Sequence, residues 1–405
     1  MLSYIQRDKE FCWGREVDTM SKIEIKIKPN VLQWLVKLID VEALNQSLQE
    51  LLKKWIHGQK VPTLNQIEKV SKATGIPFGY FFLQEPLQED LSLLEYRTVN
   101  SREVIQASRN LINTIQYAEA VQGWMHDFFK NQETEELGFV GKYKSLHDKE
   151  QFAAAASALL DLDRDWIEKE KDERKIFNYF RDKISRLGII VLTSGIVGNN
   201  TKKVLDVDEF RAFSLIDPLA PLIFINANDS YHGRIFSLIH EFIHILLGEN
   251  SLFNDYQKGK TQHKKEQVCN AVAAEILVPL HQLKKLWNSQ LDSDTLLETL
   301  ATTFHVSKIV IARRALDAGY ITKAKYQSIA VLVSHQWKEK SKEIKKHSGG
   351  SYYRTILNRI DHRFLACLSE SVKNGSTQYT EAFRLTHTNR KTFQALLDKM
   401  GGQTA

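Results

Sequence analysis

Apolar positions recur every three to four residues along most of the chain, and one stretch breaks that rhythm. Between Lys28 and Pro86 the apolar stripes are Leu32, Leu35, Leu38 and Ile39, then Leu48, Leu51, Leu52 and Trp55, then Ile67, Val70 and Ala73. They predict three helices. Gly58 is placed to end the second, Thr63 and Gln66 to open the third as a capping box, and Gly75 to close it before Ile76 and Pro77. The cluster Phe78, Tyr80, Phe81, Phe82 and Leu83 is expected to cover the underside of these helices. Residues 102–130 predict a long amphipathic helix through Leu111, Ile115, Ala118, Val121, Met125 and Phe128. Residues 131–150 read as a polar linker, and 151–162 and 173–187 as two further helices.

The rhythm changes at Gly188. The runs 188–192, 210–215 and 222–225 are short, branched or aromatic, and bounded by Gly, Asn, Asp and Pro, so they predict strands. They lead into Ile235–Gly248, which is apolar nearly all round and therefore predicts a buried helix, with Asp229 or Ser230 to cap its start and Gly248 its end. A helix over 264–278 stops at Pro279. From there the pattern is helical to the end, with a helix-turn-helix shape between Leu296 and Gly319, a basic stretch from Lys338 to Lys346 and a break at Gly349 and Gly350. The fold class that follows is mainly α with a small α+β core.

Composition narrows the class. Glycine (19) and proline (7) are too few for a collagen-like or Pro/Gly-rich disordered chain. No apolar run is long enough to cross a bilayer and Met1–Asp18 holds no hydrophobic signal region, so a cytoplasmic protein with no membrane partner is expected. Cys12, Cys269 and Cys367 are scattered, which excludes a disulfide framework and fits a reducing compartment. A net charge of +6 permits nucleic-acid contact without requiring it.

The chemistry lies in the buried helix. His240 and His244 are one turn apart on one face, so both imidazoles can reach one tetrahedral metal. Glu241, beside the first of them, is placed to take a proton from a zinc-bound water rather than to bind the metal. As structural residues these three polar groups would each need a partner inside an apolar helix, whereas one metal satisfies them together. For the third ligand the helix over 264–278 offers Glu266 and Glu275, which stand roughly 180° apart, so only one can face the metal. Asn270, a turn beyond Glu266 on the same face, can hydrogen-bond the second nitrogen of a ligand histidine. Glu266 is therefore preferred, with His263 second, Glu275 exposed or ion-paired, and Cys269 a small buried residue. The segment Ile245–Asn250 lacks the glycine and third histidine of the metzincin pattern. Zinc is the expected metal; His/His/Glu donors also accept manganese or iron.

Such a site suits hydrolysis, with Glu241 handing its proton to the leaving amine. Tyr256, His263, Arg313 and Arg314 stay open as partners of the oxyanion. Residues 221–226, if they form a sheet edge, would bind an extended peptide by strand addition.

Four separated blocks resemble the ImmA/IrrE family of metallo-endopeptidases, in order and over about 175–320. They are Phe210–Phe213, Pro221–Asn226, Phe236–Gly248 and Glu266–Pro279. The resemblance implies a zincin-like core, zinc on His240, His244 and Glu266, Glu241 as general base, and a substrate that is a helix-turn-helix repressor or an antitoxin encoded nearby. Cys269 departs from the usual alanine and Val272 from a common aromatic. Val306 and Ser307 through Arg314 and Gly319 resemble the family's helical segment after the core. At the front, Trp55, Gly58, Pro62, Thr63 and Gln66 with Ile76-Pro77 and Phe81-Phe82-Leu83 resemble the repressor-type helix-turn-helix fused ahead of longer members, which implies DNA contact through residues 28–86. There Asp40–Asn45 has no glycine turn, and Ile56 stands in place of a glutamate.

The division expected is 20–95 helix-turn-helix-like, 96–172 a helical connecting region, 173–290 the metallopeptidase core, 291–321 a helix-turn-helix-like segment and 322–405 an all-helical C-terminal domain. Residues 1–19 show no periodic pattern and read as an upstream extension or a misassigned start, with Met20 opening the first domain. The leading expectation is a zinc-dependent endopeptidase acting on a protein regulator. Its rivals are a DNA-binding transcriptional regulator with a structural or sensory metal, and a toxin component whose active surface lies in 322–405.

Overall fold

The computed structural model describes residues 23–39, 41, 44–86, 107–144, 148–163, 166–253, 264–288, 293–343 and 352–401. Cys12, Tyr256, His263, residues 1–19, Gly349 and Gly350 lie outside them, as does the end of the basic stretch, 344–346. The chain divides into two units. The first holds the described residues 23–86 and 107–113, and the second those from Thr114 onward.

In the first unit α1 (Pro29–Lys37), α2 (Gln46–Ile56), α3 (Leu64–Thr74), a 3-10 helix (Phe78–Phe82) and the start of α4 (Arg109–Asn131) follow one another. Local chemistry sets the helix ends. Asn45 accepts from Leu48 N–H at 3.0 Å, Thr63 and Gln66 form the capping box, and Gly75 closes α3 at φ 80°. Val31, Leu35, Leu52, Trp55, Ile67, Val70 and Phe81 make the core. Only part of the aromatic cluster covers these helices. Phe81 is buried, but Phe78 and Phe82 stay 39% and 40% exposed, because a short 3-10 helix spreads its side chains around the axis.

The second unit continues with α5 (Lys149–Leu159), the single turn α6 (Trp166–Lys169) and α7 (Glu173–Arg186). Next come β1 (Ile190–Ser194), β2 (Ala212–Leu215), β3 (Leu222–Asn226), α8 (Tyr231–Leu247), β4 (Ser251–Phe253) and α9 (Lys264–Leu277). Then follow α10 (Leu280–Leu286), α11 (Ser293–Phe304), α12 (Lys308–Asp317), α13 (Lys323–Glu343), α14 (Tyr352–Arg359), α15 (His362–Lys373), α16 (Tyr379–Thr386) and α17 (Arg390–Gly401). Among the described residues no helix is long and apolar enough to cross a membrane.

The sheet order is β1-β3-β2-β4, with β1 and β3 parallel and the other pairs antiparallel. The condition set for strand addition at 221–226, that they form a sheet edge, is not met. β3 lies between two strands with all its residues buried, as its unbroken apolar run befits. The edges are β1 and β4. On β1, Val191 N–H donates to Asp361 Oδ2 at 3.2 Å, and Arg181 Nη2 donates to the Val191 carbonyl at 3.1 Å. Asp361 also caps α15 through Phe364 N–H, and Arg181 also reaches the carbonyls of Asn358 and Ile360. The α14–α15 junction thus occupies the edge of β1 that would otherwise invite another strand.

The expectation of a linker over 131–150 is corrected. Gly141 and Tyr143 N–H donate to the carbonyls of Ile245 and Leu246, each at 3.0 Å. The Leu246 carbonyl has no donor within the helix and the Ile245 carbonyl has the capping N–H of Gly248, so the polar segment completes the hydrogen bonding of the helix end. The approach is close enough that a Cβ on Gly248, which sits at φ 69°, would fall 2.8 Å from Gly141 Cα.

Candidate metal centre

Helix α8 is fixed at both ends before any chemistry is considered. Ser230 accepts from Gly233 N–H at 3.1 Å. Just ahead of it Arg211 Nη1 donates to Asp229 Oδ2 at 2.6 Å, a pair whose side chains are 9% and 1% exposed. Asp229 Oδ1 accepts from Ser230 N–H, and Arg234 Nε donates to the Asp229 carbonyl. A Cβ at position 233 would meet Asp229 Oδ2 at 2.3 Å, so any side chain there has to displace this carboxylate from its place. Between these ends α8 packs against α7, α9 and the sheet, and Ile235 and residues 237–247 are buried.

His240 and His244 project from one face of α8 toward the first turn of α9. The two Nε2 atoms are 3.1 Å apart, His240 Nε2 is 3.2 Å from Glu266 Oε2, and His244 Nε2 is 3.2 Å from Glu266 Oε1. Donors on tetrahedral zinc, with bonds of about 2.0–2.1 Å, would stand about 3.3–3.4 Å apart, so this triangle fits the ion with little adjustment. Two imidazole nitrogens facing each other inside a protein need a proton or a cation between them. Among the described residues, these three form the group able to hold a metal. The histidines are buried, whereas Glu266 is 35% exposed and leaves the group open on one side.

Glu241 is fully buried beside His240, and Ser251 Oγ on β4 donates to its Oε2 at 2.7 Å. Glu275 faces away from the group. It is ion-paired with Arg314 and accepts from Leu280 N–H at 3.1 Å. Arg314, bound there and to the Val278 carbonyl, is not available to an oxyanion, and exposed Arg313 pairs with Asp317. On α9 it is Cys269 whose side chain is in hydrogen-bonding contact with the His244 ring, and Asn270 does not meet that ring's Nδ1. Sequence reasoning passed over Ser251, ten residues from Glu241 on a strand too short to show a pattern, and gave Cys269 only a packing role.

The charges of the group are coupled. Burial works against the Glu266 carboxylate, but hydrogen bonds from His240 and His244 and their charges outweigh it and hold the carboxyl well below its usual range. Burial likewise favours the neutral His244 ring, yet Cys269 and Glu266 outweigh it and hold the ring well above its ordinary value. The Cys269 thiol is itself pushed up by burial.

A metal needs the unprotonated ring, so loading must displace the proton that Glu266 helps His244 retain. Zinc titrated calorimetrically at pH 7 in buffers of different ionisation enthalpy is expected to release protons. Affinity should weaken as pH falls, starting at a higher pH than an ordinary histidine would impose. Proton-neutral binding would contradict this account of His244.

Residues 185–316, from the end of α7 to α12, match the family model described as the IrrE N-terminal-like domain, of the M78 peptidases. Residues 360–399, from the α14–α15 junction to α17, match a domain of unknown function, DUF8813. No curated protein matches the chain.

Proposed function

With residues 185–316 assigned to a metallopeptidase-type domain, we propose that this protein is a zinc-dependent endopeptidase that hydrolyses a peptide bond in a protein regulator. The observation that carries this reading is the buried donor triangle of His240, His244 and Glu266 with the Glu241 carboxylate beside it. Zinc held there supplies Lewis-acid polarisation of the scissile carbonyl and of a water molecule; manganese or iron would suit the same donors. Glu241 takes the proton of the attacking water as its oxygen bonds to the carbonyl carbon. It then delivers that proton to the departing amine nitrogen as the C–N bond breaks. The buried surroundings of Glu241 exclude bulk water that would compete for the proton.

The substrate lies extended along β4, the end strand of the order, whose first residue contacts Glu241. Strand addition there gives main-chain affinity for any unfolded or extended segment, and side-chain pockets then select the sequence. The substrate class is a helix-turn-helix repressor or antitoxin encoded nearby.

The test is co-expression with helix-turn-helix regulators encoded beside its gene, read as loss of full-length regulator on a gel and as a new N-terminus by sequencing. Purified protein should reproduce the cut with zinc and lose it after chelation, regaining it on readdition. Cleavage that survives complete removal of metal would overturn the reading.

A further inference from the structure

The two oxygens of Glu241 are not equivalent. Oε2 accepts the Ser251 hydroxyl at 2.7 Å, while Oε1 is buried and meets no hydrogen-bond partner among the described residues. A buried carboxylate oxygen normally finds a donor, and one without it is either a defect or an atom kept for a transient partner. A glutamate side chain has three rotatable bonds, and nothing in an apolar helix alone would hold it in one arrangement. We infer that Ser251 is a positioning residue: it ties down Oε2 so that Oε1 stays free to receive the proton of the attacking water. The inference rests on the peptidase reading above and concerns how its base is held.

Ser251 is itself held from several directions, which separates this contact from a chance pairing of two polar groups. Gly248 ends α8 in the left-handed conformation, and Glu249 N–H donates to the His244 carbonyl at 3.1 Å. Asn250 Oδ1 accepts from Ile216 N–H at 2.6 Å, which anchors the turn to the end of β2. Ser251 then pairs with Ser214 in the β2–β4 register and is 3% exposed. Its hydroxyl is thus delivered to Glu241 by the route from the metal helix to the edge strand. The same strand is the one assigned to the peptide, so pairing of a substrate along β4 steadies the residue that aims the base. Selection of an extended substrate and alignment of Glu241 become one event.

Three variants and two readouts test this. The cleavage probe is an internally quenched peptide spanning the cut mapped in the regulator experiment. Ser251→Ala is expected to bind zinc one to one, as the wild type does, and to lower kcat about tenfold or more with KM within about twofold, because the base is mis-aimed while the docking edge survives. Ser251→Thr keeps the hydroxyl on a strand that accepts β-branched residues and should recover most of kcat. Ser251→Cys keeps the volume with a weak donor and should stay near the alanine variant.

The second readout needs no activity. In denaturant unfolding of the metal-free protein, Ser251→Ala should change the unfolding equilibrium constant about tenfold in the wild-type background and little in a Glu241→Ala background, the signature of a direct contact to a charged group. A wild-type kcat in zinc-loaded Ser251→Ala overturns the inference and leaves the peptidase reading standing. So does equal destabilisation in both backgrounds, or a threonine variant no better than cysteine. If the wild type cuts no regulator, the peptidase reading falls and this inference falls with it, whatever coupling is found.

Discussion

Glu241→Gln is expected to keep its metal and lose cleavage, with kcat reduced about 100- to 10,000-fold, the range that a positioned general base contributes. The substitution is nearly isosteric. Its amide oxygen can still accept the Ser251 hydroxyl that now bonds Oε2, and the amide group fills the same buried space on α8. What it cannot do is take up a proton. Zinc content should therefore match the wild type, since His240, His244 and Glu266 are untouched. Single-turnover cleavage of the mapped peptide, with metal content measured on the same sample, reads both halves of the expectation. An active Glu241→Gln protein would place the base elsewhere. An inactive protein that had also lost its metal would make Glu241 a structural support of the site.

The largest effect on the fold is expected from Asp229→Ala. Asp229 and Arg211 are a buried pair ahead of α8, and the aspartate also receives Ser230 N–H at the cap of that helix. Removing the carboxylate leaves the Arg211 guanidinium buried without this counter-charge, a change that costs about 3–5 kcal/mol. For a unit of this size that lowers the melting temperature by about 5–8 °C. The damage falls where α8 is aimed, so zinc affinity should weaken along with stability. Thermal unfolding with and without zinc measures both. A loss below about 1 kcal/mol would mean that water reaches Arg211 in the variant and replaces the carboxylate.

The M78 match ends at residue 316 and the DUF8813 match begins at residue 360. The two are nevertheless joined through β1, because Asp361 and Arg181 bond both sides of Val191. The C-terminal helices are part of how the peptidase sheet ends. Among the described residues β4 is the other end strand of the sheet, the one proposed above for an extended substrate.

Much of the centre was legible because it is local. His240, Glu241 and His244 lie within two turns of one helix, so their common face follows from helix geometry alone. Ser230 and Gly248 cap that helix through neighbours three or four residues away. The same rotation argument left only one of Glu266 and Glu275 able to face the histidines, and the structure turns the two to opposite sides, one to the histidines and one to Arg314. The elements, their caps and the faces of α8 and α9 are set by interactions that a short window of sequence contains.

What the window does not contain was decided by tertiary structure. Strand order depends on which runs pair across the chain, so Leu222–Asn226 proved to be interior and the edge fell to Ser251–Phe253, three residues with no pattern to read. Gly141 and Tyr143 look like linker residues until the carbonyls at the end of α8 need donors from outside the helix. Cys269, read from the sequence only as a small buried residue, came to lie beside His244, since the roll of α9 against α8 is settled by side-chain packing and not by spacing. The contact of Ser251 with Glu241 belongs with these. Periodicity supplied His240, Glu241 and His244 on one helix, and the pairing of distant backbone supplied the Ser251 hydroxyl that meets Glu241.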